Sequence, residues 1–295
     1  MTGAEYGFLL LTSQLGNPDR KPLTVAQFRE LFMRSEQLER KEGTQSIAAE
    51  ELVSMGYGVQ MAEHIVELLA DEMLLQRYLQ KAKRAGCIPI TRATECYPVA
   101  LRNRLGLDSP GVLWAKGDLD LLGTPAIALV GSRALHSANR EFAKEVGRQA
   151  AKQGLTLVSG NARGADKAAQ DACLETGGCV ICVVADSLEK HQERQNVLYL
   201  SEDVFDGAFS AQRALSRNRV IHCLGIKTFV SQSDLEKGGT WDGTVKNLQR
   251  NWSPVFCFQD GSRAALELNQ LGAKLIGLSD LVNFARLQPD MQSFL

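Results

Sequence analysis

The sequence lacks any apolar run near the 18 or so residues that a membrane span requires, so no membrane segment is expected. It also lacks a basic stretch at Met1-Thr2-Gly3-Ala4-Glu5, ahead of the short apolar Phe8-Leu9-Leu10-Leu11, and no signal peptide is expected. Neither charge is in excess: 33 Lys and Arg stand against 34 Asp and Glu, a net charge of −1. Residues 1–110 carry 13 basic and 14 acidic side chains, and residues 111–295 carry 20 of each. That balance excludes a generally basic, non-specific coat for nucleic acid and confines any anion site to a local cluster. The cysteines number 7, an odd count that points to reduced thiols and a cytoplasmic setting.

Motifs for common cofactors and catalytic groups are missing as well. No G-x-G-x-x-G follows the first buried strand, no G-x-x-x-x-G-K-[ST] occurs, and no G-x-S-x-G elbow is present. Neither a Ser-His-Asp nor a Cys-His set stands out among the 4 His, and His222, beside Ile221 and Cys223, reads as a packed side chain. No catalytic residue, cofactor or metal is therefore expected. Cys179 and Cys182 form a lone C-x-x-C inside the strand-like Gly178–Val184, where residues three apart face opposite sides of a sheet; buried structural cysteines are expected.

What is present is an ordinary globular composition, 44% hydrophobic and 23% charged, at a length suited to two domains. Residues 1–110 read as short helices between glycines. Thr24 is placed to cap Val25–Phe32, and Ser46 to cap Ile47–Met55 ahead of Gly56. A small helical domain of the SAM or helix–hairpin–helix kind is expected there, leading into a second domain over residues 111–295. In the latter, apolar runs at Ala126–Val130, Leu155–Val158 and Cys179–Val184 alternate with helical patterns at Ala138–Lys152 and Gly164–Glu175. Strands at Lys227–Val230 and Pro254–Phe258 follow, with a Thr240–Arg250 helix between them. This alternation predicts a Rossmann-like, doubly wound α/β sheet.

Ligands of such sheets bind beyond the carboxyl ends of the strands, which directs attention to four turns. Gly131-Ser132-Arg133 follows the first strand, and Ser159-Gly160-Asn161-Ala162-Arg163-Gly164-Ala165-Asp166 follows the second. In the second, glycines flank an arginine at a helix start, where free amides and the helix dipole favour an anion; Asp166 is either a dipole partner or an orienter of Arg163. Arg217-Asn218-Arg219 precedes apolar Val220-Ile221, and Lys237-Gly238-Gly239-Thr240 opens a later helix. Each turn alone is equally readable as a tight connection or a salt network; four at one sheet edge predict a phosphate-binding edge. Trp241 either stacks on a base or packs in the core.

In order, Val130-Gly131-Ser132-Arg133, Val158–Asp166, Ser201-Glu202 and Arg217-Asn218-Arg219 resemble the motifs of the DprA/Smf family of DNA-processing proteins. Tyr97-Pro98, Leu101, Pro110, Leu113 and Gly117-Asp118 are similar to its lead-in, and the resemblance spans roughly residues 45–280. Gln170 stands where the family commonly has His, and Ser231-Gln232-Ser233 where it has an acidic residue. The resemblance implies a non-enzymatic homodimer on an extended Rossmann fold that binds and protects single-stranded DNA and hands it to the recombinase RecA. The pocket so implied comprises Arg133, Ser159, Gly160, Arg163, Gly164, Arg217, Arg219 and Lys237. A second resemblance is fainter. Gly238-Gly239-Thr240 is similar to part of the glycine turn of nucleoside-monophosphate phosphoribohydrolases of the lysine-decarboxylase-like type, but the flanking proline and Gly-Thr-x-x-Glu are missing. A nucleotide sensor on the same scaffold is the form that this alternative takes.

Overall fold

A computed structural model describes residues 1–35 and 47–289, and its elements follow the recurrence of apolar positions. Among the described residues five helices come first: α1 (Gly3–Thr12), α2 (Val25–Ser35), α3 (Ala49–Ser54), α4 (Val59–Ala70) and α5 (Glu72–Arg84). Thr24 caps α2 reciprocally: its Oγ1 accepts from the Gln27 amide at 3.3 Å, while Gln27 Oε1 accepts from the Thr24 amide at 2.9 Å. Ser46 lies outside the described residues; α3 begins at Ala49 and gives way to Gly56 at φ +91°. Leu11, Phe28, Leu52 and Ile65 belong to a core of this helical region. Buried Arg20 pins it from within, donating to the carbonyls of Ser13, Leu10 and Leu68 and to Asp71 Oδ2 at 2.8 Å.

The rest of the chain builds one nine-stranded sheet. Its elements are β1 (Ile88–Thr91), α6 (Val99–Leu105), β2 (Val112–Gly117), β3 (Ala126–Val130), α7 (Ser137–Lys152), β4 (Thr156–Ser159), α8 (Ala165–Glu175) and β5 (Val180–Val184). They continue with β6 (Val197–Glu202), α9 (Ala211–Ser216), α10 (Asn218–Leu224), β7 (Thr228–Val230), α11 (Gly238–Arg250), β8 (Val255–Phe258), α12 (Arg263–Gln270) and β9 (Lys274–Ile276). The spatial order is β1-β2-β6-β5-β4-β3-β7-β8-β9. From β6 to β9 every pairing is parallel, whereas β1–β2 and β2–β6 are antiparallel. The sheet thus reaches back before residue 110, through β1.

The chain winds outward from β3 through β4, β5 and β6, then returns to β7 on the other side of β3 and winds outward again. This is the doubly wound, Rossmann-like arrangement, with its switch point between β3 and β7. Side chains alternate across it with the two-residue period of a strand. Ile127 and Leu129 pack on the side of α7, α8, α1 and α5, while Ala126, Ala128 and Val130 pack on the side of α10, α11 and α12. The two cysteines of the C-x-x-C obey the same rule. Cys182 is buried on the first side and half-buried Cys179 lies against the second. Among the described residues, no helix is long and apolar enough to cross a membrane and no group of three or more His, Cys, Asp or Glu is arranged to hold a metal ion.

Candidate functional site

The loops leaving β3, β4 and β5 converge on a cavity of about 230 Å³. Arg133 enters from the first loop, Gly160 to Arg163 from the second and Val184 to Asp186 from the third; His191, Phe209 and Arg217 close it. The loop after β3 is tied down beneath its arginine. The Ser132 amide donates to the Gln232 carbonyl at 3.0 Å, and the Ala165 amide donates to the Ser132 carbonyl at 3.1 Å. Gly131 packs against Ser231 and Ala165. Gln232 adds a clamp, accepting from the His136 amide through Oε1 and donating Nε2 to the Ala134 carbonyl, each at 3.0 Å. Arg133 itself is exposed.

The second loop is shaped by a buried carboxylate. Asp166 is 5% exposed, and its Oδ2 accepts from the amides of Gly160 at 3.1 Å and Ala162 at 3.2 Å, with Asn161 between them at φ +54°. Asp166 therefore orients the loop backbone. The amides of Gly160, Ala162 and Ala165 donate inside the protein and are not open to an anion. Gly164 caps α8 at φ +86°, and a Cβ there would lie 2.4 Å from the Ser132 carbonyl oxygen, so no other residue fits. Ser159 turns inward: its Oγ accepts from buried Gln170 Nε2 at 2.5 Å. Gln170 is thus the partner that holds the end of β4 to α8.

Arg217 is the most unusual group in the cavity. It is 7% exposed, yet among the described residues its Nε has no hydrogen-bond partner and no ion pair is formed. Burial pulls its pKa down and the nearby Asp166 charge opposes that shift, while burial pushes the Asp166 carboxyl up against the pull of Arg217 and the two amides. Gly160 gives the guanidinium its room, since a Cβ at that position would stand 1.6 Å from Nη1. The arrangement is a preformed slot in which a cation waits without a counter-charge in contact.

The remaining expected residues lie elsewhere. Arg219 pairs with Glu202 and donates to the Asp108 carbonyl at 2.5 Å. Asn218 Nδ2 donates to the Gly239 carbonyl at 2.9 Å, joining the starts of α10 and α11. Lys237 and Gly238 are exposed and Thr240 is half-buried at the start of α11, and none of the Lys237–Thr240 turn lines the cavity. Trp241 is only 8% exposed and packs in the core against the α10–α12 side, which removes it as a stacking surface. Two features went unnoticed in the sequence. Phe209 is 53% exposed at the cavity wall with the Arg133 guanidinium 5.8 Å from its ring centroid, and Asp186 Oδ1 accepts from His191 Nε2 at 3.0 Å while the His191 ring stacks on Tyr199. An aromatic in the polar loop ahead of α9 was the available signal for the first.

A family model described as DNA recombination-mediator protein A matches residues 89–285. The chain belongs to that family. Among DNA recombination-mediator A relatives, the DNA processing protein DprA of Streptococcus pneumoniae is 32% identical over 199 residues, 62% of this chain and 68% of that protein. The DprA of Bacillus subtilis is 27% identical over 217 residues, 68% of this chain and 72% of that protein. The X-ray structure of the Streptococcus pneumoniae DprA is similar over 98% of this chain and 99% of that one, with a TM-score of 0.74 at 25% identity. DNA processing protein A from Helicobacter pylori, whose structure describes a single-stranded DNA binding mode, is similar over 68% of this chain and 95% of that one, with a TM-score of 0.58 at 26% identity.

Proposed function

We propose that this DNA-processing-family protein binds single-stranded DNA at the cavity above β3, β4 and β5, with a backbone phosphate between Arg217, Arg133 and Arg163. The observation that carries this reading is the buried Arg217 guanidinium without a counter-charge in contact. Such a group is costly to bury, and a phosphate oxygen supplies the missing acceptors. The exposed Phe209 ring beside Arg133 offers a base a stacking face, an interaction worth about 1–3 kcal/mol per base. The single-stranded DNA binding mode of the Helicobacter pylori relative supports the same ligand. Binding is non-enzymatic in this reading: the bound strand is protected and passed on by a homodimer to RecA.

The test is a salt titration of labelled oligo-dT by fluorescence anisotropy, run beside a panel of mononucleotides. Binding of the oligonucleotide with a steep salt dependence is expected, and Arg133→Ala should weaken it and flatten the log–log salt slope by about 0.7, one phosphate's share on a single strand. An unchanged slope removes Arg133 from the contact. Saturable binding of mononucleotides, with no affinity for the oligonucleotide, assigns the cavity instead to a nucleotide sensor.

A further inference from the structure

A second cavity, of about 460 Å³, runs between α7 and α8 and meets the first at Arg163, which lines both. Its α7 wall carries Arg140, Lys144 and Arg148, each four residues from the next. That spacing puts successive cations about 6 Å apart on one helix face. The charges are not equivalent. Arg148 is held by Glu141 at 2.8 Å and Glu145 at 2.9 Å, and Lys167 is held by Asp171 at 2.7 Å. Arg140, Lys144 and Arg163 form no ion pair among the described residues. The carboxylates Asp171 and Glu175 stand further along α8. The groove is therefore cationic where it joins the first cavity and charge-compensated beyond.

We infer that Arg140 and Lys144 form a second phosphate track, which takes the continuation of the DNA strand held at Arg217 and receives it across Arg163. The inference rests on the single-stranded DNA reading of the first cavity. A polyanion is the occupant that matches a row of unpaired cations continuous with an unfilled guanidinium slot, and a track of this kind reads backbone rather than base. The strand leaves the groove before Asp171 and Glu175, where like charge opposes it.

Anisotropy with labelled oligo-dT of about 6 and about 20 nucleotides, lengths chosen around the span of compact single-strand sites, tests the track. The double variant Arg140→Ala/Lys144→Ala should bind the short oligonucleotide as the unaltered protein does. It should lose on the order of tenfold in affinity for the long one, with its salt slope reduced by about 1.4. Arg133→Ala should weaken both lengths. Unaltered binding of the long oligonucleotide by the double variant, or equal losses at both lengths, overturns the track while leaving the first cavity standing. If the unaltered protein binds neither length, the reading of the first cavity falls, and the track with it.

Discussion

A guanidinium removed from water normally recovers its lost hydration through carboxylates or carbonyls, as Arg20 does with three carbonyls and Asp71. Arg217 recovers little, and on that difference rests its proposed contact with phosphate. Replacing it should accordingly spare stability and harm binding. Arg217→Met is expected to weaken oligonucleotide binding by about 1.5–3 kcal/mol, the worth of hydrogen bonds to a charged group. Its thermal midpoint should stay within a few degrees of the unaltered protein. Parallel anisotropy and thermal-melt measurements check this, and a large drop in midpoint would make Arg217 a structural residue. Arg219, two positions on, has the opposite fate. Residues two apart at a helix start point to opposite sides, so one arginine enters the cavity and the other closes on Glu202. Composition made the pair legible in the sequence but not this division, which depends on how the first turn of α10 is rotated.

Helices α7 and α8 carry both the loop geometry of the first cavity and the walls of the second, and their separation is set by Gly147. A Cβ at that position would lie 2.1 Å from the Ala169 carbonyl oxygen, a backbone atom that no rotamer change can move. Gly147→Val should destabilise the protein by roughly 1–3 kcal/mol or more, read as a lower urea midpoint. The helices themselves were legible. Phe142, Val146 and Ala150 mark one face of α7, and the all-apolar runs at β3 and β5 declare strands buried on both faces. Four strands were not: β1, β2, β6 and β9. The three-residue β9 is too short to show a period, and β1 and β2 form an antiparallel border with mixed patterns such as Ile-Pro-Ile-Thr. At α11 the helix begins at Gly238 instead of Thr240, and Trp241 lies on its inward face.

At the scale of the whole molecule, a buried histidine couples stability to pH. His222 is 1% exposed between α10 and α11; its Nδ1 meets Asn247 Nδ2 at 3.1 Å and Thr228 Oγ1 at 3.3 Å, and among the described residues its Nε2 has no partner. Burial, with the positive Arg217 nearby, pushes its pKa down to about 3. The unfolded chain takes up this proton near the ordinary histidine pKa of about 6.5 and the folded protein does not. Stability is thus full above about pH 6.5 and falls with the pH down to about 3, by up to about 1.4 kcal/mol per unit from this residue. His222→Gln should remove that share of the slope; denaturant midpoints measured between pH 7 and pH 5 check it, and identical slopes for the two proteins would refute it. The antiparallel border has a different consequence. β1 covers β2, and Trp114 on β2 is sealed by Tyr78 of α5 and by Phe205. A gene fragment opening at residue 111 would encode a sheet with a bare adhesive margin and an uncovered indole, prone to pairing with its own copies. Residues 111–295 are therefore expected not to serve as a transplantable cassette: recombination between relatives that preserves this protein should keep its crossover upstream of α5, so that both β1 and Tyr78 travel with the sheet.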